Sequence, residues 1–162
     1  MDRVLTVDRR GQVRRRDPRE YEIGYRHVAL RPERRTGTHA DDEYFLAAWF
    51  RFASGDAKLA RSTITELLQR RIATQPLQQP NAGSVFRNPP DDFAARLIES
   101  CALKGFAIGG AMISSKHANF IINNGTATAA DIEALIEHTQ QTVLKQCGVT
   151  LEREVRIIGE KA

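Results

Sequence analysis

The amino-acid sequence predicts an α+β fold. Short apolar runs with strand-like composition are interspersed with segments whose apolar residues recur at helical spacing, and the sequence contains no long repeat. A loop rich in proline lies near the middle of the chain, between the first and second predicted helices. The expected order of elements is three strands, a helix, the loop, a helix, a strand, a helix and a final strand.

The first part of the chain carries the three leading strands. Residues 4–7 alternate as a strand does, Arg10-Gly11 supplies a turn, and Val13 begins the return strand. Residues 31–42 have almost no apolar content and are expected to form an exposed loop. Residues 44–52 are apolar and aromatic, which predicts a buried strand.

A helix and a stiff loop follow. After residues 54–56, apolar residues return at helical spacing: Ala60, Ile64, Leu67 and Leu68. Residues 74–90 contain four of the six prolines of the chain, and proline fixes its own φ and disfavours helix in the residue before it. This segment is therefore expected to be irregular but ordered, as functional loops often are.

The last part of the chain predicts two helices and two strands. A second helix is expected at about 91–101 and a strand at 105–114. The third helix is the best defined, because residues 128–131 have the capping-box form and Gly148 can close the helix. A final strand is expected at 155–158.

Positive charge is concentrated at the beginning of the chain. The net charge is +4, yet the first 35 residues carry eleven Arg against six Asp and Glu, or 11 − 6 = +5, which leaves 4 − 5 = −1 for the rest. Such a segment can bind a polyanion, but it has no interleaved aromatic residues and no nucleic-acid motif. A solvated basic face or a site for a smaller phosphate is the favoured interpretation.

Several other classes are disfavoured. No apolar run approaches the ~20 residues of a membrane span, and the charged amino terminus lacks a signal core, so a cytoplasmic location is expected. Cys101 and Cys147 match no disulfide framework or metal spacing and are interpreted as buried thiols. His117 has no second ligand at useful spacing, so no metal site is expected.

Five short motifs in the second half carry a family resemblance. They are Asn81–Pro89 (NAGSVFRNP), Leu103–Gly105, Gly109–Ala111, Ser115–Phe120 and Leu151–Arg156. In this order they resemble the substrate-binding domain of UDP-N-acetylenolpyruvoylglucosamine reductases, flavoenzymes of peptidoglycan precursor synthesis, and Ile23–Arg26 resembles the Gly-Tyr-Arg segment of that family. A composition change near residue 70 gives the expected domains: residues 1–70 as the incomplete tail of the FAD-binding region, and 71–162 as the substrate-binding domain.

The resemblance implies catalytic roles for three residues. Arg26 matches the arginine that stabilises the enolate formed when hydride adds to the enolpyruvyl ether, and Ser84 matches the serine that protonates its C2 atom. Glu154 matches a second catalytic acid and, as a strand residue, would face opposite to its neighbours. On residue type alone, Arg26 would be a surface arginine, Ser84 part of a turn, and Glu154 a solvated charge.

The resemblance also implies the ligands. The substrate would be UDP-N-acetylglucosamine enolpyruvate, with Tyr25, Asn88, Lys116 and His117 at positions that contact it. FAD and NADPH are the cofactors of the family, but the sequence has no glycine-rich FAD diphosphate loop, since Gly109-Gly110 is no dinucleotide fingerprint.

Three functions remain open from the sequence. The chain can be a reductase whose flavin-binding half comes from elsewhere, either because the chain is a fragment or split gene product or because a separate polypeptide supplies that half. It can also be a UDP-sugar-binding module without catalysis, or a basic nucleic-acid or scaffold protein.

Overall fold

The chain divides into two compact units. The structure is a computed structural model that describes residues 1–34 and 43–159. One unit is Met1–Asp56 and the other is Ala57–Ala162. The expected boundary after residue 70 falls inside the first helix of the second unit and stays a prediction about the family's domains.

Within residues 1–34 and 43–56, the first unit has five strands. They are β1 (Arg3–Val7), β2 (Val13–Arg16), β3 (Tyr21–Gly24), β4 (His27–Leu30) and β5 (Tyr44–Trp49). The strands β2, β1 and β5 form an antiparallel sheet in that order. The predicted hairpin at the start of the chain is therefore confirmed. Of the exposed loop predicted at 31–42, only the beginning is described, where Pro32–Arg34 forms a short 3-10 helix, and 35–42 lie outside the described residues.

The strands β3 and β4 pair as a hairpin that the sequence did not predict. Gly24 pairs with His27, so the connection is the two residues Tyr25 and Arg26. Two-residue hairpin loops usually contain Gly or Asn, which supply a positive φ without strain. Here Arg26 takes that conformation, with φ at 54°. The turn was missed because this residue pair is not a typical hairpin signal.

The strand predicted at 44–52 forms, but its predicted burial is wrong. It runs over Tyr44–Trp49 and its side chains are mostly exposed, as are Phe50 and Phe52 beyond it. The physical reason is its place in the sheet: β5 pairs with β1 alone, and although the Tyr21 ring of β3 lies 5.5 Å from the Phe45 ring, Phe45 itself stays 56% exposed. Aromatic composition predicted the strand correctly and its environment incorrectly.

Ion pairs hold the arginines of β2 within the first unit. Arg16 is 9% exposed and donates to carboxylate oxygens of Glu20, at 3.0 Å, and of Glu43. Thr6 donates to the same Glu43 carboxylate at 2.9 Å, and Arg14 pairs with Asp8 at 2.8 Å. Part of the basic charge at the front of the chain is thus balanced internally.

The second unit contains three helices and three short strands. They are α1 (Ala57–Thr74), α2 (Ala94–Ser100), β6 (Ala107–Ile108), β7 (Ala111–Ile113), β8 (Ile121–Asn123) and α3 (Ala129–Cys147). The three strands form an antiparallel sheet in sequence order, and α3 packs against β6, β7 and α2. The core lies between these elements, whereas α1 has no buried residue.

The helices agree with the sequence prediction. Thr128 caps α3 by accepting from Asp131 N–H, the Asp131 carboxylate accepts from Thr128 N–H, and Gly148 ends the helix at φ 70°. The segment 75–93 contains no helix, as the prolines predicted. The α2 helix is shorter than the predicted 91–101.

Two strand predictions are corrected. The single strand expected at 105–114 is two strands, β6 and β7, connected at Gly109-Gly110, and β8 was not predicted. The strand expected at 155–158 does not form, because the carboxyl-terminal segment makes only an isolated bridge, between Phe86 and Arg153. The argument that Glu154 faces opposite to its neighbours as a strand residue therefore loses its basis.

A search of the described residues for a helix long and apolar enough to cross a membrane finds none.

Candidate functional site

The loop that carries Ser84 is held between two other segments of the second unit. Val85 N–H donates to Asn119 C=O at 2.9 Å, and Val85 C=O accepts from Glu154 N–H at 2.8 Å. On the other side of Phe86, the N–H of Arg87 donates to the C=O of Glu152 at 2.9 Å. The loop thus has main-chain hydrogen bonds on both sides.

Asn119 fixes this loop with its side chain. The residue is 4% exposed, its Oδ1 accepts from Phe86 N–H at 2.9 Å, and its Nδ2 donates to Phe86 C=O at 2.8 Å. The buried amide of Asn119 thus bonds to both the N–H and the C=O of Phe86, as a residue of a neighbouring β-strand would. The sequence assigned no role to Asn119, although an Asn between the apolar residues Ala118 and Phe120 signals a buried polar group that must find partners.

Ser84 and Glu154 are brought close by this arrangement. Ser84 directly precedes Val85, whose carbonyl receives the Glu154 N–H, and both side chains are partly buried. A hydroxyl and a carboxylate are groups that can serve proton transfer, and here the main-chain segments that carry them are hydrogen-bonded to each other. Their catalytic roles stay predictions.

Lys116 and His117 lie in a tight turn beside the loop. The buried Ser114 hydroxyl accepts from the N–H groups of both residues, at 3.1 and 3.3 Å. Asn119 N–H donates to His117 Nδ1 at 3.2 Å, which leaves the ring proton on Nε2. Burial lowers the pKa of His117, so the ring is neutral at pH 7 and offers a donor rather than a charge.

The ammonium group of Lys116 is engaged within the unit. Its Nζ donates to the C=O of Ile72, near the end of α1, at 2.6 Å. A carbonyl at a helix carboxyl terminus is a favourable partner for a cation. Lys116 can therefore contact a ligand phosphate, as the sequence predicted, only when its hydrogen bond to the Ile72 carbonyl breaks.

Asn88 makes a hydrogen bond within the second unit. Its Oδ1 accepts from the N–H of Ala94, the first residue of α2, at 3.1 Å, which satisfies one free donor at that helix end. The residue is nevertheless exposed. Its side chain can therefore still be reached by a ligand, and the predicted contact with a nucleotide sugar stays a prediction.

Tyr25 and Arg26 lie in the first unit, at the tip of the β3–β4 hairpin. The Arg26 guanidinium is 5.9 Å from the centre of the Tyr25 ring, and both side chains are exposed. A left-handed backbone conformation at a residue other than glycine costs energy and is common at functional sites. The approach of Arg26 to Ser84 stays a prediction.

The adjacent glycines of the described residues do not fit an FAD diphosphate. The adjacent glycines Gly109 and Gly110 are packed against the chain itself: a Cβ at Gly109 would collide with the Asp131 carboxylate, and one at Gly110 with the main chain of Thr126 and Ala127. These glycines are required by the close approach of the start of α3, and a carboxylate at this place repels phosphate. No group of three His, Cys, Asp or Glu suited to a metal occurs within 1–34 and 43–159.

Known proteins resemble this chain over its whole length. The sequence profile of the UDP-N-acetylenolpyruvoylglucosamine reductase, C-terminal domain, matches residues 75–158. The UDP-N-acetylenolpyruvoylglucosamine reductase of Nitrosospira multiformis is 57% identical across 98% of this chain and 49% of its own length. That of Thiobacillus denitrificans is 56% identical across 96% of this chain and 46% of its own length.

A solved structure agrees with these relatives. The crystal structure of UDP-N-acetylenolpyruvylglucosamine reductase from Thermus caldophilus matches with a TM-score of 0.74 and 29% identity, covering 95% of this chain and 52% of that one. The chain thus spans about half the length of the relatives it matches, and the α+β class and the family expected from the motifs are confirmed. Because the profile alone covers more than half of the sequence, the chain belongs to the UDP-N-acetylenolpyruvoylglucosamine reductase family and contains its C-terminal domain.

Proposed function

We propose that this chain provides the substrate-binding and proton-donating part of a UDP-N-acetylenolpyruvoylglucosamine reductase, an oxidoreductase of peptidoglycan precursor synthesis. The observation that carries the proposal is the hydrogen-bonded arrangement of the Ser84 loop, in which Val85 bonds to both Asn119 and Glu154. It holds the predicted proton donor and the predicted second acid on adjacent main-chain segments. We also propose a cytoplasmic location for the protein.

The proposed chemistry is reduction of the enolpyruvyl double bond of UDP-N-acetylglucosamine enolpyruvate, with a hydride added at C3 and a proton at C2. Ser84 donates that proton, and Glu154 supports the transfer. Arg26 stabilises the negative charge of the carboxylate and the enolate, because a guanidinium stays protonated and presents a planar pair of donors. Water must be excluded for a hydroxyl to act as the acid, and the partial burial of Ser84 favours this.

The nucleotide sugar is proposed to contact Tyr25, Asn88, Lys116 and His117. Lys116 supplies a positive charge for the diphosphate once it leaves the Ile72 carbonyl. The neutral His117 ring can donate a hydrogen bond from Nε2. Asn88 offers the amide hydrogens that its contact with Ala94 leaves available, since only its Oδ1 is used there.

We assign the flavin and NADPH to a different part of the enzyme, since the space beside the adjacent glycines Gly109 and Gly110 is filled by atoms of this chain. When bound there, a reduced flavin supplies the hydride. The partner of this chain is proposed to be the flavin-binding part that corresponds to the rest of the family's length. It is proposed to bind the apolar side of α1, where Leu67 is 60% exposed.

A second candidate is a UDP-sugar-binding module without catalysis. The absence of an FAD diphosphate site among the described residues favours it. Nucleic-acid binding is less well supported, because Arg14, Arg16 and Arg19 are already paired with carboxylates of the first unit. Fewer free positive charges then remain for a polyanion.

Reconstitution tests the proposal. The chain is fused to the part of the Nitrosospira multiformis reductase that it does not match, and NADPH-dependent turnover of UDP-N-acetylglucosamine enolpyruvate is measured. Ser84→Ala should lower turnover by at least ~10²-fold, the usual loss with a general acid. The control Ser115→Ala, at an exposed serine, should not. Equal rates in both variants would remove Ser84 from the mechanism, and a fused protein that binds UDP-sugar without turnover would favour the binding module.

A further inference from the structure

We propose that Cys101 and Cys147 form a reversible intramolecular disulfide when the protein meets a peroxide. They are the two cysteines of the chain, and their Sγ atoms lie 3.6 Å apart although 46 positions separate them in sequence. The inference concerns a covalent modification site and does not depend on the reductase activity.

The ends of two packed helices bring the sulfurs together. Cys101 is the residue that ends α2, and Cys147 is the last residue of α3. A disulfide has an S–S distance of about 2.05 Å, so the sulfurs must approach by about 1.5 Å. Neither helix continues past its cysteine, so the main chain there is less constrained than within a helix.

The two thiols differ in their surroundings. Cys101 is buried, and burial together with the neighbouring Cys147 raises its pKa, so it stays protonated at neutral pH. Cys147 is partly exposed. The thiolate is the reactive form of a cysteine, and the more accessible Cys147 is therefore the residue that meets a peroxide first.

The reaction balances in two steps. The Cys147 thiol loses its proton to solvent, its thiolate attacks one oxygen of hydrogen peroxide, the O–O bond breaks, and a sulfenic acid forms. The hydroxide that leaves takes up that proton and is released as water. The Cys101 thiol then attacks the Cys147 sulfur, the S–S bond forms, and a second water leaves with the thiol proton. The two thiols are oxidised by two electrons and the peroxide is reduced, and a dithiol such as dithiothreitol reverses the change.

The bond would close a loop that contains β6, β7, β8 and nearly all of α3. It would restrict the unfolded chain more than the folded one, as long-range disulfides do. In a reducing compartment such bonds are transient and often respond to oxidants. Sequence spacing gave no sign of the pair, because only the fold brings α2 and α3 together.

The test uses the whole 162-residue chain. The protein is reduced, freed of reductant and treated with hydrogen peroxide, and its intact mass and its thiol content after unfolding are measured. We expect loss of two hydrogen atoms, no free thiol, and a cross-linked peptide joining residues 101 and 147, with both thiols restored by dithiothreitol. Ser100→Ala should behave in the same way, since Ser100 Oγ lies 3.8 Å from Cys147 Sγ without being a partner in the bond.

Variants of each cysteine separate the steps. Cys101→Ala should stop at an oxygen adduct on Cys147, and Cys147→Ser should keep one unreacted thiol. The proposal is wrong if oxidised wild-type protein keeps two thiols, gains oxygen atoms instead of losing hydrogen, or cross-links only between chains at low concentration. Peptide mapping of the wild-type protein decides the matter even where a variant does not fold.

Discussion

The side-chain amide of Asn119 makes two hydrogen bonds to the main chain of Phe86: its Oδ1 accepts from the N–H, and its Nδ2 donates to the C=O. Asn119→Ala would leave the buried N–H and C=O of Phe86 without these partners, at a cost of about 2–4 kcal/mol in the free energy of unfolding. Urea unfolding of the chain measures this cost. The control Asn124→Ala removes an exposed asparagine of the same unit and should change stability by less than about 0.5 kcal/mol. Similar values for both variants would show that the pair does not hold the Ser84 loop.

Short sequence motifs correctly predicted the elements that are determined by residues close together in the chain. The third helix follows from the capping box of Thr128 and Asp131 and from Gly148, all within one segment. The strands β6, β7 and β8 have two or three residues each, too short for an alternation to be recognised. The expected strand at 155–158 had strand composition but found no partner strand.

Environment and distant contacts could not be predicted in the same way. Aromatic residues indicated that β5 would be buried, yet burial depends on what covers a strand, which its own residues do not specify. The site shows the same division. Motifs identified the segments around Ser84 and Glu154, but the role of Asn119 depends on a partner 33 positions away in sequence.

The Glu43 carboxylate predicts a pH dependence for the first unit. Its hydrogen bond from Arg16 lowers the Glu43 pKa, against the opposing effect of burial. A carboxyl group whose pKa is lowered in the folded state stabilises that state at pH values above the ordinary carboxyl pKa. This contribution to stability is lost as the pH falls through the pKa of the folded state. Glu43→Gln should therefore destabilise the unit at pH 7 by about 1–3 kcal/mol and reduce its acid sensitivity.

Hydrogen exchange of the β1 amides, measured between pH 3 and 7 (roughly the range in which carboxyl groups titrate), reports this effect. The control is Glu22→Gln on β3, an exposed glutamate. If Glu43→Gln and Glu22→Gln change the exchange protection of the β1 amides equally at pH 7, the ion pairs of Arg16 contribute no more to stability than a surface charge does.

Gly110 should tolerate no side chain. A Cβ there would meet main-chain atoms of Thr126 and Ala127, which cannot rotate away. Gly110→Ala should therefore destabilise the second unit by about 2 kcal/mol or more. Gly55→Ala is the matched control, since nothing lies within 4 Å of its Cβ and its φ is not in the left-handed region. Thermal unfolding measures the stability of both variants. If Gly110→Ala is as stable as the wild-type protein, the glycine pair becomes a candidate ligand site again.

Binding of a UDP-sugar can be measured on this chain alone. The second unit should bind UDP-N-acetylglucosamine derivatives weakly, in the ~1 mM range, equivalent to about −4 kcal/mol. Asn88→Ala should weaken binding further, because a group paired with the ligand is lost. Calorimetric titration measures both. Asn124→Ala again serves as the control, and identical titrations for Asn88→Ala and wild type would exclude Asn88 from the site.

The exposed apolar side of α1 predicts how the partner polypeptide binds. No residue of α1 is buried, so Leu67→Asp should leave the folding of this chain nearly unchanged. If the flavin-binding part of the family covers this side, the same substitution places a charge in an apolar interface and should raise the Kd of the complex by at least ~10-fold. Analytical ultracentrifugation of the chain mixed with the separately produced flavin-binding part measures that Kd.

The control Gln69→Asp introduces the same charge at an exposed polar position of the same helix and should have a smaller effect. Equal affinity for Leu67→Asp and Gln69→Asp would place the partner elsewhere, and unfolding of Leu67→Asp on its own would show that α1 is covered within this chain.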